Sequence, residues 1–271
     1  MTDAVPTSSL TGWRKTPFTG AGITHDCYEK GAGPGVVLVP ELPGLSPEVL
    51  GLADYLVEQG FTIVIPSLFG VPGRPATVGY TVRVLAKVCV SAEFRAFATN
   101  TRRPVADYLR ALACDLAVRT PGAGVGVIGM CFTGGFALAA AVEDAVLAPV
   151  VSQPSAPLPL GAARRRDPGV SSAELDQIAA RTRDGGLCLL GLRFSEDRAS
   201  PRERFAGLRE ALGGAFEVIE LDSSAGNAAG FGRTAHSVLA HEVRDRPGHP
   251  ALAARERVVG FLRERLTSTG P

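Results

Sequence analysis

Short runs of β-branched and apolar residues alternate with helical patterns from about residue 36 to the end of this 271-residue chain. A short apolar run closed by Gly or Pro is typical of a buried parallel strand, while apolar residues three and four apart indicate a helix. Parallel strands need long crossover connections, which are usually helices. The alternation therefore predicts an α/β fold with a mostly parallel central sheet flanked by helices on both faces.

The pattern gives approximate bounds for these elements. Strands are predicted at residues 36–39, 61–65, 125–128, 146–151, 187–192 and 216–221. Helices are predicted at residues 47–60, 85–97, 103–118, 136–142, 173–181, 202–212 and 251–266. No repeat and no Gly/Ser-rich linker divides the chain, so we expect residues 1–271 to form a single domain, with residues 1–35 as an N-terminal extension or edge strands.

Charge and composition argue against several classes of partner. Lys and Arg total 28 against 27 Asp and Glu, which gives no reason to expect nucleic acid or an anionic membrane as a partner. No apolar run reaches the roughly 18 residues that a membrane span needs, and the N-terminus does not resemble a signal peptide. The five cysteines are widely spaced and form no CxxC pair, which is expected of a cytoplasmic protein without disulfides or structural zinc.

The segment that carries most chemical information is residues 129–135, which read Gly-Met-Cys-Phe-Thr-Gly-Gly between a predicted strand and a predicted helix. This is the pattern of a nucleophile elbow, with the sulfur of Cys131 in place of a serine oxygen. The strained turn requires small neighbours, a need that Gly129 and Gly134 meet and Thr133 meets less well. The helix N-terminus would favour a thiolate, and the N–H of Phe132 would face a developing oxyanion.

The alternative for Cys131 is a small buried apolar residue, as free cysteines commonly are. That interpretation is preferred for Cys89, Cys114 and Cys188, which lie within apolar helix or strand patterns. Because strand, turn and helix coincide at Cys131, we favour a nucleophile there.

A general base is expected on a loop after the last strand. His236 fits this position, since it follows strand 216–221 through a flexible loop. The other histidines fit less well: His25 precedes the sheet, His241 is a neighbour of His236 or a surface residue, and His249 is a turn or helix-start residue.

The acid of such a site should follow the preceding strand, where it would accept the second N–H of the histidine. Asp197 and Glu196 both qualify by position, and Asp222 is a weaker third candidate. The alternative for this segment is a solvated acidic turn.

With these residues in place, the chain resembles the dienelactone hydrolase family of α/β-hydrolases. The resemblance rests on four segments, namely Pro-Glu-Leu-Pro-Gly at 40–44, the elbow at 129–135, Asp197 followed by Pro201, and Ala-His-Ser at 235–237. It implies an α/β-hydrolase fold, no cofactor, and a triad of Cys131, Asp197 and His236, which decides between the two acids.

The resemblance also implies a role for Glu41 that spacing alone does not suggest. In the family this glutamate holds the resting thiol and takes its proton when substrate arrives, which would limit oxidation. The N–H of Leu42 would join that of Phe132 as the second oxyanion donor. Without the resemblance, Glu41 would be interpreted as a surface carboxylate flanking a helix.

Two positions depart from the family pattern. Family members that open dienelactones bind the substrate carboxylate with arginines, one of which lies four residues after the histidine, where this chain has Ala240. The other precedes the elbow, where Arg95, Arg102 and Arg103 are candidates that cannot be matched individually. Thr133 is the second departure, because the family has glycine there.

The sequence thus predicts a cysteine-dependent hydrolase of small-molecule carboxylic esters or lactones that works through an acyl-enzyme. A thioesterase or acyltransferase on the same triad is an alternative, as is a catalytically silent binding module with the same fold. We expect no metal site, since His236, His241, His249 and Asp245 match no ligand spacing.

Overall fold

The computed structural model describes residues 4–89, 104–155 and 161–267. Its strands are β1 (Arg14–Gly20), β2 (Ile23–Lys30), β3 (Gly35–Val39), β4 (Thr62–Pro66), β5 (Val125–Met130), β6 (Val146–Ser152), β7 (Leu189–Phe194) and β8 (Phe216–Leu221). Its helices are α1 (Pro47–Glu58), α2 (Val78–Cys89), α3 (Pro104–Arg119), α4 (Gly134–Ala140), α5 (Ala162–Arg166), α6 (Ser172–Asp184), α7 (Arg202–Leu212) and α8 (Pro250–Leu266).

All eight strands lie in one sheet, in the order β1-β2-β4-β3-β5-β6-β7-β8. The hairpin of β1 and β2 is added at one edge, with β2 antiparallel to β4. All other neighbouring strands are parallel. The mostly parallel sheet of an α/β-hydrolase is thereby confirmed, and residues 14–30 supply its antiparallel edge.

The two faces of the sheet are covered by separate hydrophobic clusters. Along β3, Val36 and Leu38 point into a cluster shared with α1 and α8, while Val37 and Val39 point into one shared with α3, α4, α6 and α7. Alternation of side chains along a strand produces this division. Because both faces are apolar and buried, the strands read in the sequence as continuous apolar runs.

Several predicted elements are displaced from those observed; the helix expected at 136–142, for example, runs from Gly134 to Ala140. The helix expected at 85–97 begins earlier, at Val78, and its remainder falls at residues 90–97, which lie outside the described residues. The strand expected at 187–192 is shifted to Leu189–Phe194, because Leu187 and Cys188 precede the pairing with β6 and β8. This shift places the end of β7 directly before Glu196 and Asp197.

The parallel arrangement decides where functional side chains can meet. The carboxyl ends of β3, β5, β6, β7 and β8 lie at the same edge of the sheet, which is where ligands bind in open α/β folds. The loops that leave this edge carry Glu41, Cys131, Asp197 and His236. Within the described ranges, no helix has both the length and the apolar character needed to cross a membrane.

Candidate active site

Cys131 lies at the tip of a sharp turn between β5 and α4. Its φ is +57°, a left-handed conformation that costs energy for a residue with a side chain. The 3-10 turn Cys131–Thr133 follows at once and leads into α4. The sulfur is half-buried rather than sealed in the core. The strand, turn and helix expected of a nucleophile elbow are therefore all present.

The glycines beside Cys131 are required by close contacts. A Cβ at Gly129 would lie 2.4 Å from the carbonyl oxygen of Thr133, and a Cβ at Gly134 would lie 2.9 Å from the Cα of Pro154. Both distances are too short for atoms of the backbone, which cannot move aside freely. Small residues at these two positions thus follow from the geometry of the turn.

Thr133, which departs from the family pattern, has a structural role of its own. Its hydroxyl accepts from the N–H of Met130 (2.9 Å), and its single hydrogen is shared between the carbonyl oxygens of Val39 (3.0 Å) and Met130 (2.8 Å). The side chain is completely buried. Thr133 therefore ties the elbow to the end of β3, so its bulk is accommodated and its polar group is satisfied.

His236 and Asp197 form a hydrogen-bonded pair next to the elbow. The Nδ1 atom of His236 lies 2.7 Å from Oδ2 of Asp197. The other carboxylate oxygen, Oδ1, accepts from the N–H groups of Ala199 (2.9 Å) and Ser200 (3.3 Å). Asp197 is buried and the histidine ring is half-buried. A carboxylate held this way fixes the orientation and tautomer of the ring.

The protonation of His236 is linked to Cys131. Burial of the ring disfavours its charged form, but the charge of Cys131, the hydrogen bond with Asp197 and a hydrogen bond with the sulfur together raise the pKa of His236 well above 6.5. A charged imidazolium is therefore favoured beside the sulfur. An imidazolium paired with a thiolate is, in general, the activated state of a cysteine nucleophile.

Glu41 lies in the site but does not hold the sulfur. Its Oε2 accepts from Nε2 of Gln153 (3.0 Å), its Oε1 accepts from the hydroxyl of Ser237 (2.5 Å), and Nε2 of His241 lies 3.8 Å from Oε1. The carboxylate is almost completely buried. The expected contact with the thiol is not made, because the two oxygens bond instead to the loop after β6 and to the loop that carries His236, here called the histidine loop.

Ser155 and Gln153 are the site residues that sequence reasoning missed. The hydroxyl of Ser155 lies 3.1 Å from the sulfur of Cys131, and the side chain of Gln153 links Glu41 to the N–H of Val238 (3.4 Å). Both residues lie in a Pro-rich loop without a motif. The available signal was topological, since β6 neighbours β5 and its carboxyl end must lie beside the elbow.

The two residues predicted to donate to an oxyanion, Leu42 and Phe132, follow neighbouring strands of the sheet. Phe132 begins the turn after Cys131, and Leu42 lies in the loop after the neighbouring strand β3. Across the described ranges, the N–H of Leu42 donates to no protein acceptor. It is thus available to a ligand.

The remaining candidates have other partners. Glu196 pairs with Arg233 (3.3 Å) and Asp222 accepts from the N–H of Ser224, whereas Nδ1 of His236 pairs with Asp197. His249 is buried at the start of α8, and His25 packs on the ring of Tyr108.

The described residues do not supply, at the positions predicted for them, the arginines that bind the substrate carboxylate in family members that open dienelactones. Ala240 is completely buried, so it offers no place for a carboxylate-binding side chain. Arg95, Arg102 and Arg103 lie outside the described residues. Where the structure is described, no group of three or more His, Cys, Asp or Glu side chains is arranged to hold a metal ion.

Two cavities of about 500 Å³ lie next to the candidate active site. One is formed by the acid and histidine loops, with Asp197, Arg233 and His236 in its wall. The other is lined by apolar and aromatic side chains, including Phe69, Phe132 and Phe136, with exposed cationic side chains around it (Arg74, Arg83 and Lys87). Since Phe132 directly follows Cys131, the second cavity has the position and apolar lining to receive a small organic group.

Comparisons with known proteins identify the family and the fold. The family model described as "Dienelactone hydrolase family" matches residues 25–262, a range that includes the elbow and the acid and histidine loops. A comparison with curated proteins finds no match.

Solved structures share the fold at low sequence identity. A dienelactone hydrolase from Anabaena variabilis has a TM-score of 0.56 and 16% identity, covering 94% of this chain and 98% of that one. A dienelactone hydrolase-like promiscuous phosphotriesterase from metagenomic libraries has a TM-score of 0.62 and 15% identity, covering 94% and 98%. An α/β-hydrolase from a Penicillium species has a TM-score of 0.60 and 15% identity, covering 94% and 99%. These likenesses support the fold.

Proposed function

Because this chain belongs to the dienelactone hydrolase family, we propose that it hydrolyses small carboxylic esters or lactones through an acyl-enzyme on Cys131. One observation carries the proposal: the half-buried sulfur at the tip of the elbow is hydrogen-bonded to the ring of His236, whose Nδ1 lies 2.7 Å from the buried Asp197. Nucleophile, base and orienting acid are the three parts that covalent acyl transfer needs.

The acylation step begins from the Cys131 thiolate and the His236 imidazolium. The thiolate attacks the carbonyl carbon, and the carbonyl π electrons move onto oxygen. The N–H groups of Leu42 and Phe132 stabilise this oxyanion. When the tetrahedral intermediate collapses, the C–O bond breaks and the departing alkoxide takes the Nε2 proton of His236. A thioester on Cys131 and an alcohol result; in a lactone the alcohol stays attached to the acyl chain.

Deacylation reverses the roles of the same groups. Neutral His236 removes a proton from water through Nε2, and the resulting hydroxide attacks the thioester carbonyl. The C–S bond then breaks, the thiolate leaves, and a carboxylic acid is released. The imidazolium and the thiolate are regenerated, so the cycle closes without a cofactor. Asp197 keeps Nδ1 protonated throughout and stabilises the imidazolium.

A comparison of substrates tests the proposed reaction class. We expect the purified protein to hydrolyse activated oxyesters and lactones to the free acids, and added alcohol not to divert the acyl group. Each oxyester should be paired with the thioester of the same acyl group, with initial rates measured by product formation. Turnover restricted to thioesters, or acyl transfer to the alcohol, would favour the thioesterase or acyltransferase; absence of turnover would favour a silent binding module.

A further inference from the structure

The resting sulfur of Cys131 has a hydrogen-bond partner that the family resemblance does not imply. The hydroxyl oxygen of Ser155 lies 3.1 Å from the sulfur. A thiolate carries no proton, so in the charged state of the nucleophile the serine must be the donor. A hydrogen bond to the charged form of a group favours that form.

Ser155 is held in place by its own backbone and by its neighbours. Its N–H donates to the carbonyl oxygen of Cys131 (3.0 Å). The preceding Pro154 packs against Gly134, and its carbonyl oxygen accepts from the guanidinium of the buried Arg204. The N–H of Gln153 donates to the carbonyl oxygen of Leu192 in β7 (2.7 Å). The hydroxyl is therefore positioned before any substrate arrives.

Glu41, by contrast, is engaged in a separate network. Its two carboxylate oxygens accept from Gln153 and Ser237, which belong to the loops carrying Ser155 and His236. Nε2 of His241, five residues after His236, lies 3.8 Å from Oε1 of the same carboxylate. A residue bonded in this way links two loops of the site and positions them relative to each other.

We propose that Ser155, rather than Glu41, holds the resting sulfur, and that its hydroxyl stabilises the Cys131 thiolate in the absence of substrate. Glu41 is then a positioning residue for the histidine loop and takes no proton from the thiol. The inference rests on the proposed function in one respect, since it concerns the same sulfur. Its consequence is that the nucleophile is formed constantly and does not wait for a ligand.

The pH dependence of alkylation tests this directly without any ester substrate. Iodoacetamide reacts with the thiolate, which displaces iodide, so the rate of modification of the Cys131 peptide follows the thiolate population. The wild-type protein should react rapidly without ligand. We expect Ser155→Ala to move the midpoint of the rate profile to higher pH by about one to two units, because a hydrogen bond to a charged group contributes roughly 1.5–3 kcal/mol. Ser155→Thr should restore the wild-type profile.

Two further variants separate the roles. Glu41→Gln should leave the midpoint of the alkylation profile unchanged while lowering ester turnover, and Ser224→Ala, an exposed serine on the loop after β8, should change neither. Circular dichroism checks that each variant is folded. An unshifted profile in Ser155→Ala, or a profile that moves with Glu41→Gln instead, would overturn the proposal. Because alkylation reports the sulfur alone, a protein that hydrolyses no ester can still pass or fail this test.

Discussion

Cys131→Ala is expected to lower kcat/KM for an activated ester by about 10³-fold or more, because without the sulfur no acyl-enzyme can form. The side chain is small and half-buried, so its loss should leave the fold intact. Initial rates at several substrate concentrations measure the effect, and thermal unfolding checks the fold.

The chain supplies matched controls for this substitution. Cys114 lies in α3 with its sulfur 3.9 Å from a carboxylate oxygen of Glu143, and Cys188 lies before β7. Neither is near the elbow, so Cys114→Ala and Cys188→Ala should keep wild-type activity. A folded Cys131→Ala protein with undiminished turnover would refute the assignment of the nucleophile.

Asp197→Asn is expected to lower kcat/KM by about 10²- to 10⁴-fold. The Asn Oδ1 can still accept from Ala199 and Ser200, which leaves the amide to donate to Nδ1 of His236. That donation forces the proton onto Nε2, so the neutral ring can no longer accept a proton from water. The pKa of His236 should also fall, because the charge and hydrogen bond of Asp197 help to raise it.

The neighbouring acid provides the control. Glu196 pairs with the exposed Arg233, and Glu196→Gln should therefore change turnover by less than about threefold. Steady-state kinetics measure the first effect, and titration of the histidine ring followed by NMR measures the second. Equal losses in the two variants would mean that the acid has been assigned to the wrong residue or acts only through the stability of the turn.

The parts of the site that are encoded locally could be predicted from the sequence. The elbow is contained in one short stretch of chain, because the left-handed Cys131 and the close contacts of Gly129 and Gly134 all arise within a single turn. The order of strands in the fold then places the acid and histidine loops at the same edge of the sheet. His236 could therefore be chosen by its position in the chain, whereas position left Asp197 and Glu196 as alternatives until the family resemblance favoured Asp197.

The contacts between loops could not be predicted, because their partners are far apart in the chain. Nothing in the sequence near Glu41 indicates that Gln153 and Ser237 will occupy its oxygens. Arg204 likewise has nothing in its local sequence that indicates its partners, yet it is buried and donates to the carbonyl oxygens of Pro154 and Ala199. Such contacts depend on how loops from different strands pack against one another.

Thr133 illustrates how a departure from a pattern can be compensated. Judged by size alone, threonine fits a tight turn less well than glycine. In the structure its hydroxyl bridges Met130 and Val39, so the residue that adds bulk also adds hydrogen bonds between β5 and β3. The sequence contains no sign of this, since the acceptor on Val39 belongs to another strand.

The central claim is that the sulfur of Cys131 becomes acylated, and trapping the intermediate tests it most directly. Wild-type protein mixed briefly with an activated ester and quenched in acid should gain the mass of one acyl group, located by peptide mass spectrometry on the peptide that contains Cys131. Asp197→Asn should retain this adduct for longer, because deacylation needs the base. Turnover of the ester with no acyl group on that peptide, or with the acyl group on another residue, would contradict the account.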